Sequence, residues 1–226
     1  IFFRLDAIMS MNFFRLTGDM LHLLSIIIIL WKILTKRGVA GLSFKSQFLY
    51  ALVFSTRYLD FFLTMYSAYL TIMKFVFLAS SFWILYLMRV RFRASYDALG
   101  DNTNLAWFII PCLVVTAVYQ SMASSTPWNV TEFCWVFSEF LEAVAILPQL
   151  FMLQRTGASE TLTVHYLAAL GGYRLFYVIN WVYRYYVEGR KNWISWIAGG
   201  VQTLLYSDFF YHYIRVIVLQ KRETII

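Results

Sequence analysis

The sequence predicts an all-α membrane protein, with seven transmembrane helices in two parallel three-helix bundles joined by the fourth helix. Three observations carry this expectation. The 226 residues are 61% hydrophobic and 20% aromatic with only 14% charged, and mean hydropathy is +0.64, whereas soluble domains are about 25% charged. A span takes roughly 20 apolar residues, so the length admits seven spans and no separate soluble domain. Second, basic residues segregate by loop. Lys36, Arg37, Lys45, Arg89, Arg91, Arg93, Arg155, Arg215, Lys221 and Arg222 fall on one side, against Arg190 and Lys191 on the other. This bias places the N-terminus outside the cytosol or in a lumen and the C-terminus in the cytosol, and accounts for the positive net charge without a nucleic-acid partner. Third, a repeat appears at a shift of 117 residues, pairing Leu30-Trp31-Lys32 with Leu147-Pro148-Gln149, Ala40-Gly41 with Gly157-Ala158, and Arg57 with Arg174. Four spans separate the copies, so both run in the same direction.

Taken in order, residues 1–10 precede Met11 and read as an N-terminal extension, and residues 11–226 read as one seven-helix domain. The first span, about 13–34, runs straight into Lys36-Arg37 without a small-residue cleavage pattern, which argues against a signal peptide. Further spans are expected at about 46–65, 67–88, 105–122, 131–153, 162–187 and 193–218, with a short cytosolic tail at 219–226. Ser124, Ser125, Thr126, Pro127 and Asn129 mark the clearest turn. Cys112 and Cys134 lie in or beside apolar runs and read as packing residues, with no metal-ligand spacing. The sequon at Asn129 abuts the next span and is expected to stay unused. A parallel repeat of three-helix bundles is the SWEET-like arrangement.

Polar residues inside apolar runs point to function. Arg57 and Asp60 lie three apart, and a guanidinium at mid-bilayer depth costs at least about 2.5 kcal/mol unless it faces a partner or a cavity. Such a pair alone would merely pin helices. It has company: Arg15, Asp19 and His22 share one helical face in the first span. Glu132, Trp135, Glu139 and Glu142 form a stripe in the fifth, and Tyr173, Tyr177, Trp181 and Arg184 one in the sixth, with Asn180 beside it. Single stripes serve as helix-helix glue, but four with arginines and carboxylates suggest a shared polar cavity. Topology places Arg15, Arg184, Glu132 and Trp135 near its luminal mouth, and Arg57, His22, Tyr173, Tyr177 and Glu142 deeper. Three arginines suit a ligand with several carboxylates, while Glu132 and Trp135 suit its positive end. His22, near Tyr173 and Glu142, adds a group that titrates near pH 6.5 when unperturbed.

Several motifs resemble those of the KDEL receptor family. They include Asn12-x-Phe14-Arg15-x-x-Gly18-Asp19-x-x-His22, Ala40-Gly41-Leu42-Ser43, Arg57-Tyr58-Leu59-Asp60, Leu147-Pro148-Gln149-Leu150, Asn180-Trp181-x-x-Arg184-Tyr185 and Asp208-Phe209-Phe210-Tyr211. The resemblance covers Met11 to Arg222 and implies a multi-pass receptor of the endoplasmic reticulum and cis-Golgi. Such a receptor captures Lys- or His-Asp-Glu-Leu tails, which are receptor-read addresses. It implies that Arg57 and Tyr58 hold the terminal carboxylate and that Arg15 and Arg184 take the acidic side chains. Asp60, Glu132 and Trp135 would meet the basic residue, with Trp181 also at the ligand. His22, Tyr173 and Glu142 would sense protons, and Asp19, Tyr177, Asn180, Arg174 and Asp208 would support them. Coatomer and its regulatory GTPase machinery are the implied cytosolic partners, reached through Lys221 and Arg222. No cofactor is implied. The family often carries an acid where Asn192 stands, and this tail is less lysine-rich than usual.

A PQ-loop transporter of a small anion or sugar is the alternative, since the fold is shared, and solute flux into proteoliposomes separates the two. An enzyme is not expected: Glu139, Glu142 and Asp208 lack a nucleophile or metal set. Asp208, His212 and Arg215 could form a cytosolic latch with Arg174.

Overall fold

A computed structural model describes residues 12–59, 68–123, 129–156, 161–189 and 192–223, with side chains beyond 207 described only at Tyr211. Among these residues all regular structure is helical. Eight α-helices follow one another: α1 Phe13–Lys36, α2 Phe44–Arg57, α3 Ala68–Tyr86, α4 Ala106–Ala123, α5 Val130–Val144, α6 Leu147–Thr156, α7 Thr161–Glu188 and α8 Trp193–Glu223. A π-helical turn, Leu87–Arg91, extends α3, and a 3₁₀ turn spans Arg93–Ser95. Among the described residues, three stretches are long and apolar enough to cross a membrane: Phe13–Lys36, Ala68–Arg91 and Val130–Thr156. The protein is a helical membrane protein.

The helices form two compact units, one containing Leu30–Ala158 and the other Phe13–Ile29 with Ser159–Ile226. In the first, α5 packs against both α2 and α4, and α2 also touches α3 and α6. The apolar window of α5–α6 is 72% buried and that of α3 only 22%, so α5–α6 is central and α3 peripheral. Trp107, Ile110, Val114 and Val118 of α4 are exposed, as residues facing lipid would be. In the second unit α7 and α8 pack together.

Local chemistry sets the helix limits. Ser43 caps α2, accepting the Ser46 N–H at 3.1 Å. Asn129 caps α5 by accepting the Thr131 N–H at 2.9 Å, so the sequon asparagine has a structural role. Glycine at C′ normally ends a helix, but α1 ends with Arg37 at φ 47° while the Gly38 N–H reaches the Ile33 carbonyl at 3.2 Å. The expected fifth span is interrupted between α5 and α6, because Pro148 has no N–H to offer and its ring crowds the preceding turn. Helix α2 closes at Arg57 with Tyr58 as its cap, whereas the sequence suggested a span to 65; residues 60–67 lie outside the described chain. At the other end α8 continues to Glu223, since Gln220, Lys221, Arg222 and Glu223 are helix formers and no breaker intervenes.

The break lets Gln149 tie three elements together. Its side-chain oxygen accepts the Ser43 N–H at 2.8 Å, its amide nitrogen donates to the Gly41 carbonyl at 2.9 Å, and its backbone N–H donates to Ser46 Oγ at 2.9 Å. Lys32, almost fully buried, donates to the neighbouring Ala40 carbonyl at 2.9 Å. Buried Asp101 completes the corner, accepting from Ser43 Oγ at 2.8 Å, Lys45 N–H at 3.1 Å and the Tyr96 hydroxyl at 2.7 Å. A carboxylate at a helix N-terminus also meets the positive end of the helix dipole. Burial, reinforced by that bond to Asp101, pushes the Tyr96 phenol above its usual range. This corner fixes the start of α2, and therefore the level at which the arginine at its other end stands.

Candidate functional site

At the last residue of α2, Arg57 meets three side chains of α5. Its Nε donates to Ser138 Oγ at 3.0 Å, Nη2 pairs with Glu139 at 3.1 Å, and Nη1 pairs with Glu142 at 2.5 Å. Ser138, Glu139 and Glu142 are all buried. The fit follows from local rules: positions i, i+1 and i+4 of α5 lie toward one side, and a cation at the C-terminus of α2 meets its negative dipole end. These three groups, one guanidinium and two carboxylates, sum to a formal charge of −1 when all are ionised.

Around this cluster, Tyr58 stacks on Phe54 with centroids 5.9 Å apart and lies under the Lys74 ammonium at 5.6 Å. The Trp135 carbonyl accepts the Ser138 hydroxyl at 2.6 Å, linking Trp135 to Arg57 through one side chain. Glu132 lies one turn earlier, in the first turn of α5. Asp60 falls outside the described residues, and the carboxylates seen on Arg57 come from α5.

The second unit carries the other predicted residues. Asp19 of α1 accepts the hydroxyl of Tyr177 of α7 in a short hydrogen bond. One turn on, His22 stacks on Tyr173, with centroids 4.3 Å apart and planes 7° from parallel. Close approach of the two helices depends on Gly18, where a Cβ would come within 2.8 Å of the Tyr177 ring. Along α7, Tyr173, Tyr177 and Trp181 form a chain of ring contacts at 6.0 and 6.2 Å, and the Arg174 guanidinium lies 5.5 Å from the Trp181 centroid. Trp181 is pressed against Gly199 of α8, where a Cβ would stand 2.3 Å from its ring. Asn180 is buried, Arg15 and Arg184 are half-buried, and Arg184 Nε stands 3.9 Å from Glu188.

The structure therefore groups the predicted residues in two sets. Arg57, Tyr58, Trp135 and Glu142 belong to the first unit, and Asp19, His22, Tyr173, Arg174, Tyr177 and Trp181 to the second. Glu142 pairs with Arg57. Asp208, His212, Arg215, Lys221 and Arg222 lie on α8 with side chains outside the description. Sequence reasoning missed Ser138, because a serine in an apolar helix has no signature, and underused Glu139, whose place three residues before Glu142 was the available signal. Cys112 and Cys134 are free thiols, the first buried.

Residues 38–184 match the model of the family described as ER lumen protein retaining receptor. The chain is 48% identical to ER lumen protein-retaining receptor 2 of Homo sapiens, over 95% of this chain and 99% of that one. It is 48% identical to ER lumen protein-retaining receptor of Drosophila melanogaster (94% and 98% covered) and 47% to that of Caenorhabditis briggsae (94% and 98%). The chain belongs to the ER lumen protein retaining receptor family.

Proposed function

We propose that this protein is a pH-dependent receptor rather than an enzyme. It binds the C-terminal KDEL- or HDEL-type signal of escaped lumenal proteins in the Golgi and returns them to the endoplasmic reticulum. Full-length similarity to receptors named for retaining lumenal proteins supports the role. The observation that carries the mechanism is Arg57, held between Glu139 and Glu142. A terminal carboxylate arriving at Arg57 must displace or join two carboxylates already there, which is unfavourable while both are ionised. Uptake of a proton by Glu142 removes that conflict. Binding is then linked to protonation, and each coupled proton changes affinity by up to about tenfold per pH unit.

In this reading Arg57 and Tyr58 hold the terminal carboxylate, Arg15 and Arg184 take the acidic side chains, and Asp60, Glu132 and Trp135 receive the basic residue. Trp181 completes the ligand contacts. His22 stacked on Tyr173 is a second proton acceptor, charged in acid and favourable to a polyanionic tail. Asp19, Tyr177, Asn180, Arg174 and Asp208 hold these groups in place. The protein is a single seven-span domain of PQ-loop type, residues 11–226, with its N-terminus lumenal and its C-terminus cytosolic. Lys221 and Arg222 are the cytosolic sorting residues, through which coatomer is recruited.

Titration of the purified protein with a peptide ending in His-Asp-Glu-Leu, and with the same peptide amidated, tests this at about pH 5.5. Binding of the free acid alone is expected. Equal binding of the amide would remove Arg57 from carboxylate capture, and no binding of either would overturn the receptor reading.

A further inference from the structure

A second feature of the first unit lies away from Arg57. The end of α1 and the π-helical turn after α3 enclose a cleft of about 510 Å³, within the range of small-molecule sites. Its lining is of two kinds. Leu34, Trp83, Leu87 and Phe92 make an apolar part, and Arg37 and Arg91 a cationic one.

Two backbone departures serve these arginines. Arg37 occupies the left-handed region at φ 47°, a helix-ending position where glycine avoids the strain. Retaining arginine there keeps its guanidinium at the cleft, and observed strain of this kind is a pointer to function. Arg91 closes a π-helical turn in which the Phe92 N–H reaches the Leu87 carbonyl at 2.8 Å, and such turns occur frequently at functional sites. Among the described residues neither arginine has a carboxylate partner. Nearby Arg89 is engaged differently, with its guanidinium 6.0 Å from the Phe44 ring. Trp83 and Tyr86 stack at 5.4 Å and remain about half exposed, as aromatic residues do at a membrane interface.

We infer that this cleft binds one anionic phospholipid, its phosphate held by Arg37 and Arg91 and its acyl chains lying over Leu34 and Trp83. Guanidinium forks match phosphate bidentately, and basic pockets beside transmembrane helices take anionic headgroups. A free phosphate would leave the apolar half of the cleft without a ligand. A lipid uses both halves.

Native mass spectrometry on the full chain, taken from phosphatidylcholine nanodiscs containing phosphatidylinositol monophosphate, provides the test. The wild type should retain one anionic lipid, as should an Arg89→Ala/Arg93→Ala control that removes the same charge outside the cleft. Arg37→Gly/Arg91→Ala should weaken retention about 30-fold, roughly fivefold per arginine. Arg37→Gly relieves the backbone strain, so the melting temperature should not fall with that change. If the double variant does not fold, Arg91→Gln alone should weaken retention about fivefold. Equal loss in the control, equal retention of phosphatidylcholine, or equally strong binding of inositol phosphate without chains would each overturn the proposal.

Discussion

Arg57 shows what a single residue can reveal from sequence and what it cannot. Its charge inside an apolar run marked it at once, and the stripe on the fifth span carried both of its acidic partners. The nearest acid in sequence was Asp60, three residues on, yet Glu139 and Glu142 lie on another helix, and only packing brings them to the guanidinium. Removing the cation should leave two buried carboxylates facing each other. Arg57→Ala is therefore expected to lose about 3–5 kcal/mol of stability, read as a fall in Tm of the detergent-solubilised protein. Gly18 makes a second residue-scale prediction. Alanine there gains up to about 1 kcal/mol of helix propensity but drives a methyl to 2.8 Å from Tyr177, and overpacking costs about 1–3 kcal/mol. A net loss of stability is expected, with weakening of the Asp19–Tyr177 bond visible as altered tyrosine fluorescence.

At the scale of elements, helices of the described chain such as Phe13–Lys36 and Ala106–Ala123 coincide with long apolar runs of the sequence, because lipid-facing sides leave a long hydrophobic signal. The break in the fifth span was not legible as a break. Pro148 announces a kink, but the purpose of the kink appears only when Gln149 reaches Gly41, Ser43 and Ser46. The shift of 117 residues paired Lys32 with Gln149, and their side chains donate to the adjacent carbonyls of Ala40 and Gly41. Gln149→Ala should strand the buried Ser43 N–H and cost about 2–3 kcal/mol, measured by thermal unfolding. Asp101 and Tyr96 left no sequence signal, being ordinary loop residues until folding buries the carboxylate. The Tyr96 phenol is held above its ordinary value of about 10, so the neutral form's contribution is whole at pH 7. It is lost as pH rises through the raised folded value. Tyr96→Phe should lower stability at pH 7 by about 1 kcal/mol and flatten the fall of Tm at strongly alkaline pH.

For the whole molecule, composition and loop charge were enough to read a multi-pass membrane protein, because the bilayer imposes length and hydropathy on every span. Family membership was legible in motifs spread from Asn12 to Tyr211, and the comparisons give the same family. The division of the polar residues between two units was not legible, since stripe periodicity gives a face and not its neighbour. The proposed proton linkage is where these scales meet. Glu142→Gln imitates a protonated carboxyl beside Arg57 and should raise peptide affinity at neutral pH toward its acid value. The most direct measurement is the affinity of a His-Asp-Glu-Leu peptide for the wild-type protein at about pH 5.5 and 7.4, bracketing the ordinary histidine range. Binding at least about tenfold tighter at the lower pH is the predicted result, and equal affinity at both would contradict proton-coupled capture at Arg57.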